Sequence, residues 1–140
     1  MKNCKKIDVH THYLPPAYYG LLAKHGMSSL DGGMPVPEWT PEKHLEDIEA
    51  LSICFSLLTI SSPHMHMGDP AEAAEVARAC NEYGAELMKK YPDRIAAGAS
   101  LPLPETGASI DEIRYCREVL GINAFSLMTN FLGVYIGDAS

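Results

Sequence analysis

Short apolar runs alternate along the chain with longer segments whose apolar residues recur every three to four positions. Runs of the first kind near 7–12, 53–61, 95–101 and 122–129 read as strands. Between the first two lies PPAYYGLLAKHG (15–26), which holds a short helix, then SSLDGGMPVPEW, a Gly/Pro-rich loop without a period. Thr40-Pro41 reads as an N-cap followed by proline at the first helical position, and Leu45, Ile48 and Leu51 give that helix its apolar stripe. SICFSLLTISS (52–62) is continuously apolar, as in a strand covered on both faces. Asp69-Pro70 caps a helix whose stripe runs through Ala73, Ala77, Cys80, Gly84, Leu87 and Met88 and stops before Pro92. Ser109 and Glu112 have capping-box spacing ahead of Ile110, Ile113, Cys116 and Leu120, and Gly121 closes that helix.

The order βαβαβαβ argues for parallel strands joined by right-handed crossovers. An open doubly wound sheet and a portion of a (β/α)8 barrel both satisfy it. No G-x-G-x-x-G follows the first strand, which removes support for a dinucleotide-binding sheet. A barrel needs eight strands and roughly 250 residues, whereas 140 residues supply about four βα units. The sequence therefore reads as the N-terminal half of a barrel, reaching GVYIGDAS where a fourth helix is due.

Composition narrows the function classes. The formal net charge is −7 and the longest basic clusters are Lys5-Lys6 and Lys89-Lys90, which argues against a nucleic-acid surface. No apolar run approaches a membrane span of about 18 residues. Cys4, Cys54, Cys80 and Cys116 show no C-x-x-C spacing and read as reduced, mostly buried thiols of a cytoplasmic protein.

The candidate chemistry lies in IDVHTH. Strand alternation puts His10 and His12 on one face with Asp8 below them, and Ile7, Val9 and Thr11 on the face that helices cover. Two imidazoles at the carboxyl end of a parallel strand sit where α/β sites are built, and such a pair can hold a metal. His64 and His66 in SSPHMHMGD could complete a four-histidine set. Pro63 and Gly68 instead mark a loop, so surface or substrate-facing histidines are expected there. His25 and His44 lie in helical contexts and read as solvated.

D-x-H-x-H followed by Leu14-Pro15-Pro16-x-Tyr18 resembles the amidohydrolase superfamily. Tyr91-Pro92-Asp93-Arg94 ahead of a Gly-Ala-Ser-Leu-Pro strand, with LGINAFSLMTN further on, is similar to its amidohydrolase-related branch. That branch includes aminocarboxymuconate-semialdehyde decarboxylase and aromatic-acid decarboxylases. The resemblance covers the whole chain and departs at Ser52, where relatives often carry glycine.

The resemblance implies a metal-dependent TIM barrel, with His10 and His12 matching its first metal-ligand pair and zinc the expected metal. The remaining ligands and the catalytic residues would lie beyond Ser140, and Asp8 would support rather than ligate. Ser61, Ser62 and His64, after the second strand, are candidate substrate-side contacts. The implied reaction is decarboxylation of a small aromatic or unsaturated carboxylic acid. Hydrolysis of a lactone or amide is the alternative. TatD-like nucleases and PHP-type phosphoesterases also begin with H-x-H, but Leu-Pro-Pro-x-Tyr and the acidic charge argue against them. A half-barrel exposes sheet edges and an apolar inner face, so an inactive, self-associating chain, a homo-oligomer, is the non-enzymatic expectation.

Overall fold

A computed structural model describes residues 6–138. Four parallel strands form one sheet in the order β1-β2-β3-β4: Lys6–His12, Ile53–Thr59, Ile95–Ala99 and Ala124–Phe125. Helices α1 (Pro16–Lys24) and α2 (Pro41–Ala50) lie between β1 and β2, α3 (Pro70–Lys90) follows β2, and α4 (Thr106–Tyr115) follows β3. This is the parallel half-barrel sheet with helices that the periodicity anticipates. β4 is shorter than its apolar run, and a hairpin of β5 (Asn130–Phe131) and β6 (Val134–Tyr135) follows it.

The helix starts at α2 and α3 follow their local chemistry. Thr40 Oγ1 accepts from the Lys43 amide at 3.1 Å, and Asp69 Oδ1 accepts from the Ala71 amide at 2.9 Å. Each cap satisfies an amide that the first helical turn leaves without a partner. The α3 stripe buries Ala73, Ala77, Cys80, Gly84 and Leu87 against Tyr13, Leu58 and Ile95. Gly84 is required by this contact: a Cβ there would lie 2.8 Å from Ala97 Cβ and 2.9 Å from the Tyr13 hydroxyl. At the α2–β2 turn Ser52 holds φ of +56°, a left-handed conformation that glycine adopts at less cost.

Several expectations change. β2 is covered on one face only: Ser56 and Leu58 are buried, while Phe55, Leu57 and Thr59 are half-exposed on the other. Ile7, paired with Phe55, and Val9 are each 67% exposed instead of lying under helices, because the packed helices occupy the opposite face. Leu51 points outward as well, and His44 takes a buried place on α2. α4 begins at Thr106, not at a Ser109–Glu112 box; both residues are buried inside the helix, whereas Ile110 is exposed.

Glu112 turns inward because its carboxylate accepts from Arg78 Nε and Asn81 Nδ2, both at 2.8 Å. Cys80 and Cys116 are free and buried, as expected of reduced thiols. Cys54 is instead disulfide-bonded, and Cys4 lies outside the described residues.

Candidate active site

β1 departs from strict alternation where it matters most. Asp8 and Thr11 oppose Ser56 and Leu58, so three steps along β1 match two along β2, and a bulge results. Bulges re-aim side chains beside functional sites. Asp8 pairs with the buried Ser56 on the helix-covered face and lines a cavity with His12 and with Lys43, His44 and Asp47 of α2. Its Oδ1 accepts the His10 amide at 3.0 Å and so fixes the bulged backbone.

The two histidines stay together. Their ring centroids are 5.1 Å apart, edge to face. His12 pairs with Thr59 across the strands, and its Nδ1 lies 3.1 Å from Thr59 Oγ1 and 3.3 Å from the Thr59 carbonyl. Thr59 Oγ1 donates its own proton to the Thr11 carbonyl, so it accepts from His12 Nδ1–H. That places the proton on Nδ1 and leaves the Nε2 lone pair for a ligand, the arrangement by which an outer partner orients a metal-binding imidazole. Among the described residues no group of three or more His, Cys, Asp or Glu is placed to hold a metal. The pair thus fits part of a coordination sphere, one ligand short of the usual three at catalytic zinc.

Beside His12 lies a cavity of about 240 Å³ walled by Tyr13, Leu14, Tyr18, Leu30, Met34 and Trp39, with Ser61 at its edge. The Gly/Pro-rich loop supplies half of this wall. It folds as a small hairpin through Leu30 N–H to Met34 O (2.7 Å) and Val36 N–H to Ser28 O (3.2 Å). Tyr19 ties it to α1, donating to Pro37 O at 2.7 Å and accepting from the Trp39 amide at 2.9 Å.

The structure therefore brings Ser61 and His12 to one cavity, whereas Ser62 and His64 do not line it. His64 and His66 are buried and do not lie on the surface. His64 sits edge-on to Phe131 at 5.3 Å, under the hairpin that no sequence period announces. His66 Nδ1 accepts the Gly68 amide at 3.1 Å, with Glu105 3.8 Å from Nε2. His44 is buried beside Trp39, and burial pulls its pKa down against the opposing fields of Asp47 and Asp8.

Burial pushes the His64 pKa down to about 4, and neither ring nitrogen has a partner. The unfolded chain then takes up the proton near pH 6.5 and the folded one only near 4. Stability is expected to fall across that window by about 3 kcal/mol on acidification. Urea titrations at pH 7 and pH 4.5 check this, the expected result being a smaller loss in His64→Leu than in wild type.

A parallel β/α sheet with paired histidines at the carboxyl end of its first strand defines the class: the half-barrel of a β/α-barrel enzyme fold. The family model "Amidohydrolase" matches residues 7–139, and the chain belongs to that family. It is 33% identical to the decarboxylase macB of Penicillium terrestre over 96% of this chain and 41% of that protein. It is also 33% identical to 6-methylsalicylic acid decarboxylase acuB of Aspergillus aculeatus, over 90% of this chain and 38% of that one. A crystal structure of an amidohydrolase II superposes with a TM-score of 0.90 at 37% identity, covering 96% and 44% of the two chains. A manganese-bound dihydroxybenzoic acid decarboxylase from Polaromonas sp. JS666 shares the fold, with a TM-score of 0.66 at 21% identity, over 86% and 37%. The chain spans about two-fifths of the length of these proteins.

Proposed function

We propose that this chain forms the first half of the active site of a metal-dependent decarboxylase acting on a small aromatic carboxylic acid. The observation that carries the reading is His12, its ring fixed by Thr59 with Nε2 free, next to His10 and at the edge of an apolar cavity. Decarboxylases of aromatic acids among its relatives support the reaction class.

His10 and His12 would hold a divalent cation, which when bound supplies Lewis-acid polarisation of a substrate oxygen. Zinc follows from the resemblance and manganese from a structural relative; metal analysis of the purified protein separates them. The remaining steps that this chain can perform are positional. Tyr13, Tyr18, Trp39 and Ser61 line the cavity beside His12, the Tyr13 and Trp39 rings meeting edge to face. Helices cover the other face of the sheet. Two ligands are too few for a catalytic site, so turnover belongs to a protein in which further residues close the coordination sphere.

The test is to supply 2-hydroxybenzoates to the protein carrying this chain, with manganese or zinc, and to measure released CO2. Metal-dependent CO2 release is expected. Hydrolysis of a lactone or amide without CO2 release from any acid would overturn the reading.

A further inference from the structure

Tyr18 belongs to two neighbourhoods at once. Its side chain, on α1, lines the cavity beside His12 and is buried. Its phenol donates to the Pro63 carbonyl and lies 3.5 Å from the Ser61 carbonyl, so one hydroxyl holds the segment that leaves β2. The next residue of that segment is His64, buried with neither ring nitrogen in a hydrogen bond. An imidazole without a polar partner is placed by packing, and the Phe131 ring of β5 meets it edge to face at 5.3 Å. Phe131 is also what docks the β5–β6 hairpin: it is buried, whereas Leu132, Val134, Tyr135 and Ile136 face solvent. Two-residue strands joined through a left-handed Leu132-Gly133 turn make a hairpin too small to be stable by itself, so the inserted ring fixes it. Both segments follow the carboxyl ends of parallel strands, β2 and β4, where barrel sites are assembled.

We propose that Tyr18 is a positioning residue that couples occupancy of the cavity to the seating of the β5–β6 hairpin. This rests on the reading above that an aromatic acid enters the cavity beside His12. A ligand in the cavity packs against Tyr18 and fixes its phenol. The phenol holds the segment from Ser61 to Pro63, and His64 then offers Phe131 an ordered surface. The path is contiguous, and the hairpin is its two-state element, with Phe131 docked or released. Coupling of this kind is reciprocal: docked Phe131 tightens acid binding by the factor by which the acid favours docking. Removing only the Tyr18 hydroxyl breaks the path at its middle and leaves the aromatic wall in place.

The experiment combines two readouts at pH 7 on the protein carrying this chain, with the fold of each variant checked by circular dichroism. The carbon-bound imidazole protons of His64 sense the ring current of Phe131. Their loss in His64→Leu assigns them, and Phe131→Leu gives their position without the ring. Calorimetry gives Kd for 2-hydroxybenzoate in wild type, Tyr18→Phe, Phe131→Leu and the double variant. In ligand-free Tyr18→Phe the His64 signals are expected to move towards their Phe131→Leu position. Each single variant is expected to weaken binding by about fivefold or more, and the double variant no further than Tyr18→Phe alone. Unchanged His64 signals in Tyr18→Phe, an affinity that Phe131→Leu leaves unchanged, or losses that multiply in the double variant would each overturn the proposal. Coupled binding without any CO2 release would support it and overturn the reaction assigned above; CO2 release with multiplying losses would do the reverse.

Discussion

Replacing Asn81 with alanine is expected to cost about 3–5 kcal/mol of folding stability, a large share of the roughly 5–15 kcal/mol that a domain has. Asn81 is fully buried on α3 and binds three groups from two other segments. Its Nδ2 donates to the Ser100 carbonyl at 2.9 Å and to Glu112 Oε1 at 2.8 Å, and its Oδ1 accepts the Ser100 amide at 2.8 Å. Alanine leaves a buried amide, a buried carbonyl and part of a buried carboxylate without partners, each costing about 1–3 kcal/mol.

Glu112 keeps Arg78, whose guanidinium lies 3.6 Å over the Tyr115 ring, so the loss falls mainly on the junction of α3 with the end of β3. Urea denaturation followed by circular dichroism measures it as a lowered midpoint. A midpoint unchanged from wild type would mean that the network carries little of the fold's stability.

Thr59→Val is the second large effect, because it removes the oxygen that accepts from His12 Nδ1–H while preserving side-chain shape. Losing such an outer partner typically weakens metal binding by about 10- to 100-fold. His12→Ala removes the ligand itself and is expected to weaken binding further than Thr59→Val does. Calorimetric titration of manganese and zinc into each variant reads both effects. Equal affinities in Thr59→Val and wild type would mean that the imidazole is oriented by something else.

Much of this architecture is legible from periodicity and caps. Thr40-Pro41 and Asp69-Pro70 announce α2 and α3, and the small-residue stripe of α3 matches the face that packs on the sheet. The parallel sheet follows from the alternation of elements. What stays hidden depends on pairing between distant segments. The bulge between Asp8 and Thr11 arises from register against β2, which no local pattern encodes. His44 and His64 look like surface residues until Trp39 and Phe131 are brought over them from other parts of the chain.

The α4 start is misplaced because Ser109 and Glu112 have cap spacing, yet Glu112 is claimed by Arg78 and Asn81. Asn81 did leave a signal: it sits four residues after Ala77 and three before Gly84, a polar residue beside an apolar stripe. In the candidate site, the H-x-H pair is legible as a motif. Its tautomer, set by Thr59, and the cavity wall supplied by the unpatterned loop 28–39 are tertiary properties.

The most direct measurement is the metal content of the protein carrying this chain, wild type against His10→Ala/His12→Ala, by plasma mass spectrometry with the fold checked by circular dichroism. Bound divalent metal in wild type, and its loss from a folded double variant, is the result expected. A folded double variant that retains its full metal would contradict the assignment of His10 and His12 as the metal-holding pair.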